Sequence, residues 1–270
     1  MKGEIPELKT EEGGFGKNRN LIVGDPSSAK VIVGAHYDTC AELPFPNFIT
    51  PKNIFIYILY NFALVLPMIV LVTLSNITLN PLFYFGGLIY FALLMGIMLL
   101  GRPNKHTAND NTSGVIALCE LWAAMSDEDK AKTVLVFFDN EENGLLGSAF
   151  YRKKHKKEIK QQLMINLDCI SDGDYIMLIK SPEANGKYGS IVASSFSAEG
   201  EKSILLENSA GTLYPSDQAG FPIHVAVAAM KKGKRVGYYL DRIHTKKDTQ
   251  FDRLNIEIIT KGIVSLISRV

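Results

Sequence analysis

Two adjacent glutamates, Glu141 and Glu142, lie just past the apolar run Thr133–Phe138. They fall between two further carboxylate positions, Asp110 and Asp168, and two histidines, His36 and His244. Each of these six residues sits at or just beyond the end of a strand-like run, or at the start of a helix-like one. Carboxylates and imidazoles are oxygen and nitrogen ligands that zinc accepts. Five such ligands with one carboxylate to spare are what a two-zinc hydrolytic site needs: the metals activate water and polarise a carbonyl, and the spare carboxylate moves protons. Singly, each residue has a plainer reading. An Asp or Glu past a strand is ordinarily a solvated turn residue, a Glu-Glu pair at a helix start complements the helix dipole, and a lone His36 is more often a hydrogen-bonded strand-end histidine. The six together carry the metal reading.

Such groups need elements that deliver them to one place. Apolar runs predict strands near Asn20–Val23, Lys30–Ala35, Thr133–Phe138, Leu163–Leu167, Tyr175–Ile179 and His224–Ala228. Helical periodicity predicts helices over 113–126, 145–160 and 254–269; in the last, Ile256, Ile259, Ile263, Leu266 and Ile267 share one face. Alternating strands and helices build an open α/β sheet, which collects functional groups at the carboxyl ends of its strands. The expected fold is an α/β class, three-layer α/β/α sandwich with a mixed central sheet.

Five segments, Lys30–Thr39, Ala108–Gly114, Phe138–Ser148, Met164–Asp168 and Arg242–Thr249, occur in an order that resembles the zinc aminopeptidase family that also contains the glutaminyl cyclases (metallopeptidase family twenty-eight). The resemblance runs from about Asn20 to the C-terminus, excluding residues 53–101. It implies that Asp110 bridges two zinc ions, that His36 and Asp168 complete one of them, and that Glu142 and His244 complete the other. Three protein ligands per zinc leave room for water, as in catalytic sites. Asp38 resembles the carboxylate that fixes the His36 imidazole, and Glu141 the catalytic base. The resemblance also implies a cis peptide at Asp110–Asn111. The activity it implies is removal of N-terminal residues from peptides with a free N-terminus. The alternatives within the family are a glutaminyl-cyclase-like zinc acyltransferase, which works with one zinc, and an inactive scaffold; the complete set of five ligands favours the peptidase. The Ser216–Phe221 stretch resembles one that lines the family's substrate site, with Gln218 where the family more often has histidine. Met1–Gly16 is polar where relatives usually carry a helix.

Residues 53–101 depart from a soluble enzyme. They contain no Lys, Arg, Asp or Glu, and the runs Ile54–Ser75 and Leu82–Leu100 approach the ~20 residues needed to cross a bilayer as a helix. A short polar turn, Asn76–Pro81, joins them, and Pro67 would kink the first, which membranes tolerate. The plainer reading is a hydrophobic hairpin packed on the enzyme as a lid or dimer surface. The favoured one is a transmembrane hairpin inserted between two parts of the catalytic domain, 1–52 and 102–270, anchoring it in the lipid bilayer while supplying no catalytic group. Lys52, Arg102 and Lys105 flank the hairpin and its turn is uncharged, so the positive-inside rule places the catalytic domain in the cytoplasm.

A formal net charge of +1 argues against a nucleic-acid partner. Three cysteines, Cys40, Cys119 and Cys169, without metal-finger spacing and without a signal peptide, suggest a reducing compartment and small buried residues. The remaining histidines have bland expectations: His106 in a solvated loop, His155 on a solvated basic helix face, His224 in a core or turn. No repeat or low-complexity tract is present, and the sequence carries no signal for an oligomeric state.

Overall fold

A computed structural model of the chain describes residues 7–270. In chain order its elements are β1 (Leu8–Gly13), β2 (Asn18–Val23), β3 (Val31–His36), α1 (Ile54–Thr78), α2 (Pro81–Leu100), α3 (Ser113–Ala124), α4 (Asp127–Ala131) and β4 (Thr133–Phe138). There follow α5 (Leu146–Lys154), β5 (Leu163–Leu167), β6 (Tyr175–Lys180), α6 (Pro182–Ser195), β7 (Ser203–Asn208), β8 (His224–Gly233), β9 (Gly237–Tyr239) and α7 (Arg253–Ile267).

The strands form one mixed sheet in the order β1-β2-β4-β3-β5-β8-β6-β7, with β9 paired to β8. Its centre, β4-β3-β5-β8, is parallel, while β2 and β6 run antiparallel to their inner neighbours. Side chains of the central strands alternate between two cores, as the twofold period of a strand requires. Val31, Val33 and Ala35 face Leu118 and Leu121 of α3 and Ile256, Ile259 and Ile263 of α7. Ile32 points the other way, into a cluster with Val134, Val136, Phe138 and Tyr151 of α5. Both faces are covered, which is why these strands read as unbroken apolar runs. The result is the expected three-layer sandwich. Leu118 is completely buried between α3 and the sheet, so Leu118→Ala should cost about 2–5 kcal/mol through lost burial and a residual cavity. A lower urea midpoint would register it.

Five elements lay outside the sequence expectation: the short helix α4 (Asp127–Ala131) and, for identifiable reasons, four others. The edge strand β1 reads Leu-Lys-Thr-Glu-Glu-Gly and is mostly exposed. Edge strands tolerate such charge, and their apolar signal is correspondingly weak. Strand β7 is the opposite edge, and β9 has only three residues. Helix α6 contains Asn185, Gly186 and Gly189, which depress helix propensity. It is set instead by Ser181, whose hydroxyl accepts the Ala184 N–H at 3.1 Å, and by Pro182 in its first turn. The helix expected over 145–160 ends at Lys154 and resumes as a single 3-10 turn, Glu158–Lys160.

Helices α1 and α2 pack against each other as an antiparallel pair. Gly87 of α2 faces Met68 and Val72 of α1, where a side chain would crowd Val72 Cγ2 at 3.2 Å. The Tyr90 hydroxyl donates to the Leu64 carbonyl at 2.6 Å, in the turn that Pro67 disturbs. Asn53 and Asn80 cap the two helices, each accepting a first-turn N–H. Asn76 and Thr78, expected in the turn, are the last residues of α1 and bond back to carbonyls four residues earlier. At 1.5 Å per residue the 25 and 20 residues span about 37 and 30 Å, against ~30 Å of hydrocarbon in a bilayer. No residue of α1 is buried, and in α2 only Gly87 and Leu94 are. These are therefore not core helices of the sandwich.

Candidate metal centre

The parallel block sets the site. Strand β3 ends at His36, β4 delivers the loop carrying Glu141 and Glu142, and β5 runs into Asp168. Asp110 comes from the turn leading into α3, and His244 from the loop after β9. All lie at the carboxyl edge of the central strands, as an open α/β sheet favours.

The imidazole Nε2 of His36 lies 3.1 Å from Asp110 Oδ1 and 3.6 Å from Asp168 Oδ1. His244 Nε2 lies 3.2 Å from Asp110 Oδ2 and 3.1 Å from Glu142 Oε2. The two oxygens of Asp110 thus face different histidines, and each histidine has one further carboxylate of its own. Glu141 approaches from the side, its ligand atom grouped with those of His36 and Glu142 within 4.8 Å of one another.

The loops are held in place by a second set of polar groups. Asp38 accepts the backbone N–H of Glu141 at 3.0 Å and of Glu142 at 3.2 Å. His36 Nδ1 is nearer the Asp38 carbonyl, at 3.2 Å, than its carboxylate, at 3.5 Å. Asp38 therefore orients His36 mainly through its backbone, while its carboxylate fixes the two glutamates. The Asp110–Asn111 peptide is cis, as expected. Asp248 grips this segment by accepting the N–H groups of Asn109 and Asp110 at 2.8 and 2.9 Å. Asn111 donates to the Leu167 carbonyl at 2.9 Å, and Gly114 leaves the room for it, since a Cβ there would lie 2.5 Å from Asn111 Oδ1. Asn140, Cys169 and His244 adopt the left-handed backbone region, each at or beside one of the clustered residues. Non-glycine residues hold that conformation where their surroundings enforce it, commonly at functional sites.

Charge is concentrated and dry. Burial alone would lower the His36 pKa, but hydrogen bonds to Asp110, Asp168 and Asp38 outweigh it and hold the imidazole well above its ordinary range. His244 is raised in the same way, against burial, by Asp110, Cys40 and Glu142. Burial pushes Glu141 well above the usual carboxylate range despite the pull of His36, with Asp217, Asp168 and Glu142 adding to the push. Burial likewise raises Glu142, with Asp110 adding to it. Asp217, fully buried, is pushed up to about 7 by that burial.

The donor set fits zinc. Ligands bonded at about 2.0–2.1 Å in a tetrahedral site lie roughly 3.3–3.4 Å apart, and the four histidine–carboxylate separations of 3.1–3.6 Å bracket that spacing. Each Nε2 carries at most one proton yet faces two carboxylates. Glu142 Oε1 and Asp168 Oδ1 are buried without a hydrogen-bond partner. Buried carboxylates in this number call for cations to balance them.

Several residues had gone without a role in the sequence reading. Asp248 is one, since only its burial beside the Asn109 and Asp110 backbone marks it out. Cys40 is another, its sulfur grouped with the Glu142 and His244 ligand atoms; its closeness in sequence to Asp38 was the available signal. Cys169 is buried as expected, but Cys119 is exposed on α3. His155 is half-buried, stacked on Tyr151 and bonded to Glu11 at 3.0 Å, because β1 covers that face of α5. His224 holds a turn, Nδ1 to the Phe221 carbonyl at 2.7 Å. Gln218 is buried, its amide spent between the Tyr214 carbonyl and the Asn166 side chain, so it braces the loop rather than facing a ligand.

The whole architecture resembles solved metalloenzymes. A zinc-dependent exopeptidase from Parabacteroides distasonis superposes with a TM-score of 0.61 at 17% identity, covering 97% of this chain and 84% of its own. A glutaminyl cyclase from Porphyromonas gingivalis gives 0.57 at 14% identity, covering 97% and 83%. A zinc aminopeptidase from Bacillus subtilis gives 0.52 at 16% identity, covering 94% of this chain, which spans about half (49%) of that enzyme. No curated protein matches the chain by sequence. Residues 94–261, more than half of the chain and all of the clustered groups except His36 and Cys40, match Peptidase family M28, and the chain belongs to that family.

Proposed function

We infer that the protein is a membrane-anchored two-zinc aminopeptidase. The observation that carries this reading is Asp110: its two oxygens face two different histidines, each backed by its own carboxylate. That is the donor pattern of a bridged pair of ions. In this reading His36, Asp110 and Asp168 hold one zinc, and Asp110, Glu142 and His244 the other. The bound pair would supply Lewis acidity to a water and to the scissile carbonyl. Glu141, aligned by the Asp38 grip on its backbone, accepts the proton of the attacking water and passes it to the leaving amine. Cations beside it would also offset the burial that now raises its pKa. Asp38 and Asp248 position the loops.

The test is hydrolysis by purified, zinc-loaded protein of a panel of aminoacyl amides and their N-acetyl counterparts. Cleavage confined to substrates with a free amine is expected. Equal cleavage of the acetylated series would sink the aminopeptidase assignment.

Residues 53–101 are read as a bilayer hairpin interrupting the catalytic domain, whose parts are 1–52 and 102–270. What supports this is that nearly every side chain of two long uncharged helices is exposed or only half-buried, with Phe55, Leu82 and Leu93 at 72%, 74% and 62%. A soluble monomer rarely shows more than a few hundred Å² of contiguous apolar surface. Lys52, Arg102 and Lys105 at the base favour a cytoplasmic catalytic domain. Full-length protein should pellet with membranes and resist alkaline carbonate extraction. Recovery as a monodisperse, detergent-free monomer in the supernatant would show that the hairpin is not a membrane anchor.

A further inference from the structure

Helix α2 does not leave the hairpin at a distance from the chemistry. Its exit, Gly101–Asn104, is zipped to the segment that follows His36 and Asp38. The Glu42 N–H donates to the Arg102 carbonyl at 2.8 Å and the Asn104 N–H to the Cys40 carbonyl at 2.9 Å, with Ala41 and Pro103 bridged between them. The same segment is tied to the metal centre, since the Leu43 N–H donates to the carbonyl of His244 at 2.8 Å. At the end of α2 the backbones approach so closely that a Cβ on Gly101 would lie 2.9 Å from Ala41 Cβ.

This junction encloses a cavity of about 240 Å³. Its polar lining includes Glu142, His244, Asn143 and Thr39, and its apolar lining includes Leu43, Pro103 and, from α2, Met98 and Leu99. Leu43 is buried, but Met98 and Leu99 are 42% and 66% exposed. Their side chains therefore belong both to the cavity wall and to the uncharged outer surface of the hairpin. The cavity thus brings two apolar side chains of the uncharged hairpin into one lining with two of the clustered ligands, Glu142 and His244.

We propose that the end of α2 is the apolar wall of the substrate site, which selects membrane-adsorbed peptides with a large apolar residue at the N-terminal, scissile end. The inference rests on the aminopeptidase and anchor readings above and adds the substrate class. A peptide lying at the bilayer surface has its apolar side chains at the depth where the hairpin meets the catalytic domain. Its terminal side chain would enter beside Leu99 and bury against Met98 and Leu43, leaving the peptide bond beside Glu142 and His244. Peptides with a small or charged first residue forgo that burial. Selection by apolar burial of this kind discriminates by about tenfold to a few hundredfold. Met98 and Leu99 are thus specificity-determining residues on an element whose sequence suggests only an anchor.

The experiment uses the full-length, zinc-loaded protein in lipid nanodiscs. Its substrates are leucine-, alanine- and lysine-headed versions of one amphipathic peptide and of one short soluble peptide. Leucine should be preferred throughout, and the amphipathic leucine peptide should give the highest kcat/KM. Leu99→Trp, which fills the cavity, and Met98→Ala with Leu99→Ala, which remove its wall, should each reduce the leucine-to-alanine ratio by about tenfold. Both should leave zinc content unchanged, with the larger loss of kcat/KM falling on the leucine peptide. Ile89→Ala, at an exposed position of α2 outside the cavity lining, should leave the ratio as it is. An unchanged ratio in both cavity variants overturns the inference while the aminopeptidase reading stands. An equal kcat/KM for the amphipathic and soluble leucine peptides overturns its membrane part. Zinc-loaded protein that cleaves none of the peptides overturns the aminopeptidase reading, and this inference with it.

Discussion

Glu141→Gln is expected to keep its full zinc content and lose about 10²–10⁴-fold in kcat, the usual contribution of a positioned general base. The glutamine amide is nearly isosteric and can still accept a hydrogen bond, but it cannot take up and return a proton. The loss should fall on kcat with KM little changed, because the group is needed in the transition state rather than for binding. The neighbouring Glu142→Gln supplies the contrast. Glu142 shares its oxygen with His244 at 3.1 Å and keeps its second oxygen buried and unpartnered. Its loss should appear first as weakened zinc binding, recoverable in part by excess metal. Near wild-type turnover by Glu141→Gln would show that another group is the base. Asp217 would be the next candidate, since it is buried close enough to perturb Glu141.

How far the site was legible in sequence depended on where each residue stands relative to the apolar runs. His36, Glu141, Glu142 and Asp168 follow directly on strands β3, β4 and β5, whose two buried faces leave an unbroken apolar signal. A carboxylate or histidine at the end of such a run is conspicuous, and the end of a run is where the sheet delivers it. Asp110 was legible through the helix it precedes. His244 was the least marked by periodicity, since β9 has three residues and the loop after it none; its residue type and the resemblance placed it in the set. Asp248 and the backbone role of Asp38 escaped because hydrogen bonds to main-chain N–H groups leave no pattern in side-chain order. The elements missed follow the same physics. Strands β1 and β7 are edges with little apolar alternation, and α6 depends on Ser181 and Pro182 rather than on propensity. The hairpin was the most legible element of all by composition, with both helices close to the expected bounds. What composition could not give was the contact of its far end with the site, because pairing of residues 40–42 with 102–104 is a tertiary fact.

Asp110→Ala should have the broadest effect on the metal centre: both ions weakened together, with zinc falling well below that of the wild type at equal free metal. Every other ligand position serves one histidine, whereas Asp110 lies 3.1 Å from His36 and 3.2 Å from His244 through separate oxygens. Removing it also strips from His36 and from His244 one of the hydrogen-bond partners that hold each against the burial opposing its charge. The backbone of the turn is secured independently, by Asp248 on the Asn109 and Asp110 N–H groups, and those bonds do not need the Asp110 side chain. A folded but metal-poor protein is therefore the expected product, with retained secondary structure by circular dichroism and depleted zinc by elemental analysis. His244→Ala should differ, sparing the ion held by His36 and Asp168. If Asp110→Ala and His244→Ala lost zinc to the same extent, and wild-type protein at saturating zinc held at most one ion, the bridged pair would be wrong. A single-zinc centre would then favour the cyclase-like chemistry of the family over peptide hydrolysis.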